Sequence, residues 1–232
     1  DEDFSLYLAA ANPLALSEAS ATKAALRVPE PVNRREAFVV ASDVSFTAIG
    51  YDRRILGVEH TGSLLLLSRI LSYDYLWNEI RVKGGAYGAG FQVTRVGSMR
   101  FYTYRDPRID ESIERMAAAG RAIASFSPDE AEMEGFVVSC VAGIDAPLKA
   151  RDRVRRQDGM YFGGYTCEQR AMIRNQVIEA RSEDVRALGS MVERVVEPGC
   201  VCVVGGKRLI DSMREDLHVI DLFGVGAGSA SA

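Results

Sequence analysis

Residues 76–91 read LWNEIRVKGGAYGAGF, the most unusual stretch of the chain. The pattern predicts a helix that carries the cation Arg81 near its end. The helix should stop at Gly84 and Gly85, because glycine favours a left-handed exit. Tyr87 then stands at the start of a strand. The stretch therefore predicts a tight crossing from a helix into a sheet.

This glycine-rich crossing has two interpretations from the residues alone. Backbone N–H groups at Gly84, Gly85, Gly88 and Gly90 could cradle a phosphate. However, the glycines follow a helix instead of preceding one, and no Lys-Ser or Lys-Thr pair comes after them, so the geometry of a phosphate loop is missing. The other interpretation is purely structural: the glycines form the helix exit, Arg81 is solvated and the neighbouring tyrosine is packed.

The residues before the crossing predict the helix itself and the opening of the sheet. Thr61 is a natural N-cap for a helix of about six turns. Its apolar stripe is predicted to face the sheet and consists of Leu64, Leu67, Leu71 and Trp77. Residues 36–51 open the sheet, since Val44, Phe46 and Ala48 alternate with polar neighbours as in a half-buried strand.

The residues after the crossing predict a hairpin and then several helices. The strands cover 86–93 and 98–105, with the turn near Val96 and Gly97. Helices are expected at 109–126, 128–142, 147–161, 167–178 and 182–195, followed by a strand at 200–204 and a short helix at 207–216. For the helix at 128–142, Ser127 is the expected N-cap, with Pro128 at the first position and Glu130 completing a capping box.

This order of elements predicts an α+β fold: a mixed or antiparallel sheet of about four principal strands with helices packed on one face. Residues 1–33 are interpreted as a lead from an upstream part, with one short helix at 17–26. Residues 34–223 form the α+β domain, and 224–232 form a disordered tail. Because the chain opens with the acidic DEDF, we expect a longer parent protein.

Composition narrows the possible partners. The 232 residues carry a formal net charge of -4, and the basic residues are scattered, so no nucleic-acid partner is indicated. The one basic cluster, RDRVRR at 151–156, is interpreted as a solvated helix face. The longest apolar stretch, near 64–67, is far shorter than the roughly 20 residues of a membrane span. A membrane partner is therefore not expected.

The cysteines indicate a compartment. The four cysteines are too few and too widely spaced for a disulfide framework; they are Cys140, Cys167, Cys200 and Cys202. A reducing compartment fits better, and a cytoplasmic location is expected. Cys200 and Cys202 alternate with valines, so they are interpreted as small hydrophobes on one face of a strand and not as a metal pair.

Two motifs carry a resemblance to a known family. R-x-K-G-G-A-Y-G begins at Arg81 and follows the Leu76-Trp77 pair, and Y-R-D-P begins at Tyr104. In this order and spacing the motifs resemble the C-terminal half of the presequence proteases and falcilysin. These form one branch of the insulinase/pitrilysin family of zinc metallopeptidases, the inverzincins, with a LuxS/MPP-like fold. The similarity extends loosely over residues 36–211.

The resemblance implies a role. In that family, two halves of two domains each enclose a chamber, with zinc in the first domain and the fourth domain facing it. An Arg and a Tyr of the fourth domain reach the substrate, and Arg81 and Tyr87 match them, with Gly84 and Gly85 between. The resemblance thus implies a substrate-binding, chamber-forming domain of a peptide-degrading endopeptidase. Its partners would be peptides and the N-terminal half of its own parent. A non-catalytic scaffold or interaction domain of the same fold is the alternative.

The residues for hydrolysis are not in this chain. The family's H-x-x-E-H motif needs two histidines on one helix turn, whereas this chain has only His60 and His218, far apart. Both are interpreted as surface or capping histidines. We therefore expect no catalytic residue, metal ligand or cofactor here, and we expect this chain alone to be inactive. Zinc is expected in the upstream N-terminal domain.

Overall fold

A computed structural model describes residues 34–197 and 199–224. The predicted lead at 1–33, its helix at 17–26 and residues 225–232 of the predicted tail lie outside the described residues. The strands are β1 Arg35–Val39, β2 Phe46–Asp52, β3 Gly88–Val93, β4 Ser98–Tyr104, β5 Cys200–Gly205 and β6 His218–Asp221. The helices are α1 Gly62–Ile70, α2 Ile109–Ala124, α3 Glu130–Asp145, α4 Ala150–Phe162, α5 Cys167–Glu179, α6 Ser182–Arg186, α7 Gly189–Val196 and α8 Lys207–Asp211.

The strands form one six-stranded sheet in the order β3-β4-β2-β5-β1-β6. β1 pairs in parallel with β5 and β6, and the remaining pairs are antiparallel, so the sheet is mixed. Along β4, Met99, Phe101 and Thr103 are buried while Arg100 and Tyr104 are exposed. One face of the sheet thus packs against the helices, which confirms the α+β prediction.

The sheet has more strands than the sequence predicted. Residues 36–51 form two strands, β1 and β2, instead of one continuous opening. The predicted helix at 207–216 ends at Asp211, and the chain then adds β6 beside β1. β6 has only four residues, most of them exposed, so it carries no apolar alternation that sequence reasoning could detect. β6 is recognised as a strand only by its pairing with β1 in the folded sheet.

The face of β2 that points at the helices begins with two polar side chains and continues with the buried Ile49. Ser45, just before the strand, and Thr47 are buried, whereas Phe46 and Ala48 are only half-buried. Burial of the Ser45 side chain is tolerated because its hydroxyl donates to the carbonyl of Asp106 at 2.8 Å. The alternation was predicted, but the row of Ser45, Thr47 and Ile49 faces inward, and Phe46 and Ala48 lie on the other face.

The helix before the crossing begins as predicted, with the Thr61 hydroxyl accepting from the Leu64 N–H at 3.3 Å. Leu64, Leu67 and Leu71 are fully buried. Beyond α1, however, the helix continues as two π-helical segments, Leu71–Tyr75 and Trp77–Val82. Their wider turns shift the apolar stripe by one residue. The prediction that Trp77 faces the sheet was therefore wrong: Leu76 is buried in its place, and Trp77 is 37% exposed.

The helix at 128–142 begins later than predicted. α3 starts at Glu130, and Asp129 is its N-cap, accepting from the Glu132 N–H at 2.8 Å. Glu132 accepts from the Asp129 N–H in return, so the capping box is real but lies two residues further on than Ser127 and Glu130. Within the described part of the chain, no helix combines the length and apolar character needed to cross a membrane.

Candidate functional site

The helix exit is built by Gly84 and Gly85. The Gly85 N–H donates to the Arg81 carbonyl at 3.0 Å, and the Ala86 N–H donates to the Ile80 carbonyl at 3.2 Å. Gly85 adopts a φ of 85°, a conformation that residues with a side chain rarely adopt. At Gly84, a Cβ would lie 2.4 Å from the Ile80 carbonyl oxygen. Both glycines therefore shape the turn that carries the chain into β3, as the sequence predicted.

Tyr87 lies between this turn and β3, and its ring is exposed. Its N–H donates to the Arg105 carbonyl at 3.3 Å, which fixes the backbone at this edge of the sheet. The ring is 65% exposed and meets Tyr104 edge to face, with 5.7 Å between the ring centroids. Tyr104 in turn packs against Phe46 at 5.2 Å. The interpretation of a packed Tyr87 is thus wrong, and its hydroxyl end is free to meet a partner.

Arg81 is held between two aromatic rings. Its guanidinium carbon lies 3.9 Å from the centroid of the Trp77 ring and 5.8 Å from that of Tyr87. The nearest carboxylate on the same helix, Glu79, is bound by Lys83 and by Arg115. Arg81 consequently has no ion pair among the described residues, and its donors are not used inside this part of the chain.

The predicted residues meet in one open recess of about 550 Å³. Its lining consists of Val44, Arg81, Val82, Gly85, Ala86, Tyr87 and Arg105. Gly84 is not among them and acts on the recess only by setting the turn. Sequence reasoning quoted Arg105 as part of Y-R-D-P but assigned it no role. In the structure the Arg105 side chain lines the recess as a second guanidinium. The backbone of Arg105 has a φ of 51°, in the left-handed region.

The following aspartate explains that unusual backbone. Asp106 is fully buried, its backbone pairs with that of Ser45, and its Oδ1 accepts from the Arg108 N–H at 2.9 Å. Burial raises the pKa of Asp106, while hydrogen bonds from the Ser112 hydroxyl and the Arg108 N–H act in the opposite direction. Asp106 therefore anchors the end of β4 to the start of β2 and thereby positions Arg105.

The described residues offer no set of metal ligands. No group of three or more His, Cys, Asp or Glu side chains comes together in the described ranges. His218 is exposed on β6, as expected for a surface histidine. His60 instead lines a cavity beside α5. Cys200 and Cys202 share one strand face, as predicted, but this face is exposed.

Comparisons with known proteins agree with the motifs. A family model described as PreP C-terminal domain matches residues 35–207. Protein HypA of Clostridium perfringens is 28% identical over 182 residues, which cover 78% of this chain and 19% of that protein. The mitochondrial presequence protease of Yarrowia lipolytica is 29% identical over 168 residues, which cover 69% of this chain and 16% of that protein. The chain thus spans less than a fifth of the length of these relatives.

Solved structures share the fold at low sequence identity. A crystal structure of pitrilysin aligns with a TM-score of 0.54 and 19% identity, covering 82% of this chain and 22% of that one. The peptidase M16 inactive domain from Pseudomonas fluorescens aligns with a TM-score of 0.54 and 16% identity, covering 75% of this chain and 44% of that one. At such identities the likeness shows the fold alone.

Proposed function

The chain belongs to the PreP C-terminal domain family, and from this membership we propose that it forms the substrate-holding wall of a chamber in a zinc metalloendopeptidase that degrades peptides. The observation that carries the proposal is the guanidinium of Arg81, stacked on Trp77 beside the exposed ring of Tyr87. A cation without an ion pair among the described residues, presented at a recess, suits the recognition of an acceptor on a ligand.

Peptide carbonyl oxygens are the acceptors that fit this pair. A guanidinium and a phenol both donate hydrogen bonds, and together they can hold a peptide backbone without reading its side chains. If a carbonyl gains negative charge during cleavage, the same donors stabilise that charge. Because Arg81 and Tyr87 extend from a helix end and a strand start, their backbone positions are rigid.

Zinc is proposed to lie outside this chain. The described residues supply no fitting ligand set, so no step of the reaction is assigned to a metal bound here. We propose that an N-terminal half of the parent protein holds the zinc and completes the chamber. On its own this chain is then inactive as a peptidase. Peptides and that N-terminal half are the proposed partners, with neither nucleic acid nor membrane involved.

A cytoplasmic location is also part of the proposal. Cys140 and Cys167 carry free thiols, one buried and one at the surface, which is compatible with a reducing compartment.

The test uses the full-length parent enzyme with Arg81→Ala, Arg81→Lys and Tyr87→Phe. We expect kcat/KM to fall by about a hundred- to a thousandfold for Tyr87→Phe and Arg81→Ala, with melting temperatures near that of the wild type. Arg81→Lys should lose nearly as much, because an ammonium group cannot reproduce the planar fork. Lys83→Ala, which removes a neighbouring exposed cation, is the matched control and should stay close to wild type.

Wild-type kinetics in both Tyr87→Phe and Arg81→Ala would overturn the substrate-binding role. In that case the second candidate, a non-catalytic scaffold domain of the same fold, would be preferred. The same fold occurs in a Pseudomonas fluorescens domain described as inactive.

A further inference from the structure

Two adjoining cavities of about 390 and 300 Å³ lie between α4, α5 and the β3–β4 turn. They share four lining residues: His60, Arg95, Tyr165 and Ile173. We call them together the arginine pocket, because five guanidinium groups line it: Arg53, Arg95, Arg155, Arg156 and Arg170. No carboxylate of the described residues lines either cavity. In a chain of net charge -4, such a concentration of cations is a local feature.

Three of these arginines are fixed by the fold. Arg53 donates to the carbonyls of Val58 and Arg95, at 2.8 and 2.7 Å. Arg95 donates to the Gly163 carbonyl at 3.1 Å and lies 4.7 Å from the centroid of the Tyr165 ring. Arg170 donates to the Ile144 carbonyl at 2.6 Å and also pairs with Asp145, whose Oδ1 lies 3.8 Å from its Nη2. These contacts fix the walls of the pocket and keep the positive charge in place.

The other two arginines are available to a ligand. Arg155 and Arg156 belong to the RDRVRR segment, which was interpreted as a solvated helix face. They make no hydrogen bond or ion pair within the described ranges, although both line the cavity. Two unused guanidinium forks beside three fixed ones make a strong site for an oxyanion, since charge-assisted bidentate hydrogen bonds form there.

The positive charges of the pocket also act on the pKa of His60. Burial lowers the pKa of His60, and the charges of Arg53 and Arg95 lower it further. The imidazole is therefore neutral at pH 7 and adds no charge of its own.

Apolar side chains also line the pocket: Leu65, Ile144, Met160 and Ile173. Met160 and Ile173 are almost completely buried, at 9% and 5% exposure. A bare inorganic ion would make no use of the apolar surface that these side chains give the pocket. The pocket thus suits a ligand that has an anionic group attached to an apolar body.

A groove leads from this pocket toward the candidate site. A third cavity, of about 480 Å³, runs along the outer edge of β3 and shares Leu65, Gly143 and Ile144 with the arginine pocket. Its other end is lined by Trp77, the residue on which Arg81 stacks. β3 spans roughly 20 Å, so an extended peptide of about six residues matches the length of the groove.

Pairing with the sheet edge would hold such a peptide only weakly at the centre. The Phe91 N–H already donates to the Ser72 hydroxyl at 2.9 Å, and its carbonyl accepts from the hydroxyls of Ser68 and Ser72, at 2.6 and 3.1 Å. A ligand in the groove therefore depends on its ends for affinity.

We propose that the arginine pocket binds a carboxylate of a polypeptide that lies extended in this groove, either the free C-terminus or an acidic side chain near it. The proposal rests on the proposed function, since it takes peptides as the ligands of this surface. It adds that the chain selects and orients peptides by a carboxylate bound far from Arg81.

The test measures binding of N-terminally labelled octapeptides to this chain by fluorescence anisotropy. The probes share one neutral, largely apolar sequence and end in a free carboxylate, in a carboxamide, or in a carboxamide preceded by glutamate. We expect the free carboxylate to bind about ten- to a hundredfold more tightly than the plain carboxamide. The glutamate probe separates the two sources: restored affinity assigns the pocket to acidic side chains as well, and no restoration assigns it to the C-terminus.

The double variant Arg155→Ala/Arg156→Ala should abolish this preference. Arg151→Ala/Arg153→Ala removes the same charge from the same helix without touching the cavity, and it should keep the preference within about twofold. All four positions tolerate alanine in a helix, and matching melting temperatures show that both variants are folded. Equal binding of all three probes, or equal loss in the two double variants, overturns the proposal. This experiment measures binding, whereas the test of Arg81 and Tyr87 measures kinetics. The proposed role of the arginine pocket can therefore be refuted while the role of Arg81 and Tyr87 is supported, or the other way round.

Discussion

The guanidinium carbon of Arg81 lies 3.9 Å from the centroid of the Trp77 ring, and both residues belong to the second π-helical segment. A cation over an aromatic face at an exposed site gains about 0.5–1 kcal/mol. This is too little to stabilise the domain but enough to restrict a long side chain to one direction. Trp77 is therefore a positioning residue for Arg81.

Replacing Trp77 in the full-length enzyme should affect kinetics more than stability. We expect Trp77→Ala to lower kcat/KM by about ten- to a hundredfold, because the guanidinium is no longer held where the substrate needs it. The melting temperature should change little, since the ring is 37% exposed. Trp77→Phe keeps an aromatic face and should recover most of the activity. Equal losses in Trp77→Ala and Trp77→Phe would contradict the stacking role.

The two glycines of the crossing should respond differently to substitution. At Gly85 an added Cβ would meet only the Pro107 ring, at 3.7 Å, so Gly85→Ala costs roughly 1–2 kcal/mol through its left-handed backbone alone. Gly85→Asn should cost less, since asparagine tolerates that conformation. Gly84→Ala should cost more than either, because its Cβ would overlap the Ile80 carbonyl. Chemical denaturation of the three variants gives the order, and a Gly84→Ala variant as stable as wild type would refute it.

The sequence predicted the helix-to-sheet crossing well because the signals there are local. The N-cap at Thr61, the stripe through Leu71 and the paired glycines each depend on residues within one or two turns. The prediction that Trp77 continues the stripe was wrong because π-helical turns depend on the backbone hydrogen bonds of the folded helix. Residue types do not reveal these hydrogen bonds. β6 was missed for a related reason, since its neighbour in the sheet, β1, lies at the other end of the described sequence.

Ser72 and Ser68 allow a matched test of the edge of β3. Ser72→Ala removes the acceptor of the Phe91 N–H, and a buried donor without a partner costs about 1–3 kcal/mol. Ser68→Ala removes one of two donors to the Phe91 carbonyl, which keeps its hydrogen bond from Ser72. We expect the free energy of unfolding to fall clearly more for Ser72→Ala. Similar losses in the two variants would show that the Phe91 N–H has another partner.

Asp106 should make stability depend on pH. Burial raises the pKa of this carboxyl above its ordinary value, so the native state binds the proton more tightly than the unfolded state does. The contribution of Asp106 to stability is then most favourable below the ordinary pKa and is lost as the pH rises through the raised pKa. Asp106→Asn removes this dependence. The stability of the variant relative to wild type should therefore increase as the pH rises above 3.8, the ordinary pKa of this carboxyl.

Thermal unfolding at a series of pH values measures this difference. Asp129→Asn, at an exposed helix cap, serves as the control for removing a carboxylate without burial. If the melting curves of wild type and Asp106→Asn stay parallel over the whole pH range, Asp106 does not titrate as described.

The candidate site was only partly visible in the sequence. Arg81 and Tyr87 came from motif resemblance, and the structure brings them to one recess. Arg105 lay in the second motif, but its place beside Arg81 depends on the buried Asp106 and on the bridge to Ser45, which link distant parts of the chain. The arginine pocket was missed for the same reason: only the folded chain brings Arg95 next to the helix that carries Arg155 and Arg156.

The π-helical segments have a consequence for how this domain can vary. Adjacent residues of an α-helix differ by about 100° around its axis, so removing one residue from residues 71–82 would rotate every later side chain by about that angle. The direction of Arg81 is thus set by the number of residues between Leu71 and Val82 as well as by their identities. Domains that keep this site should accept substitutions along the segment far more readily than insertions or deletions within it.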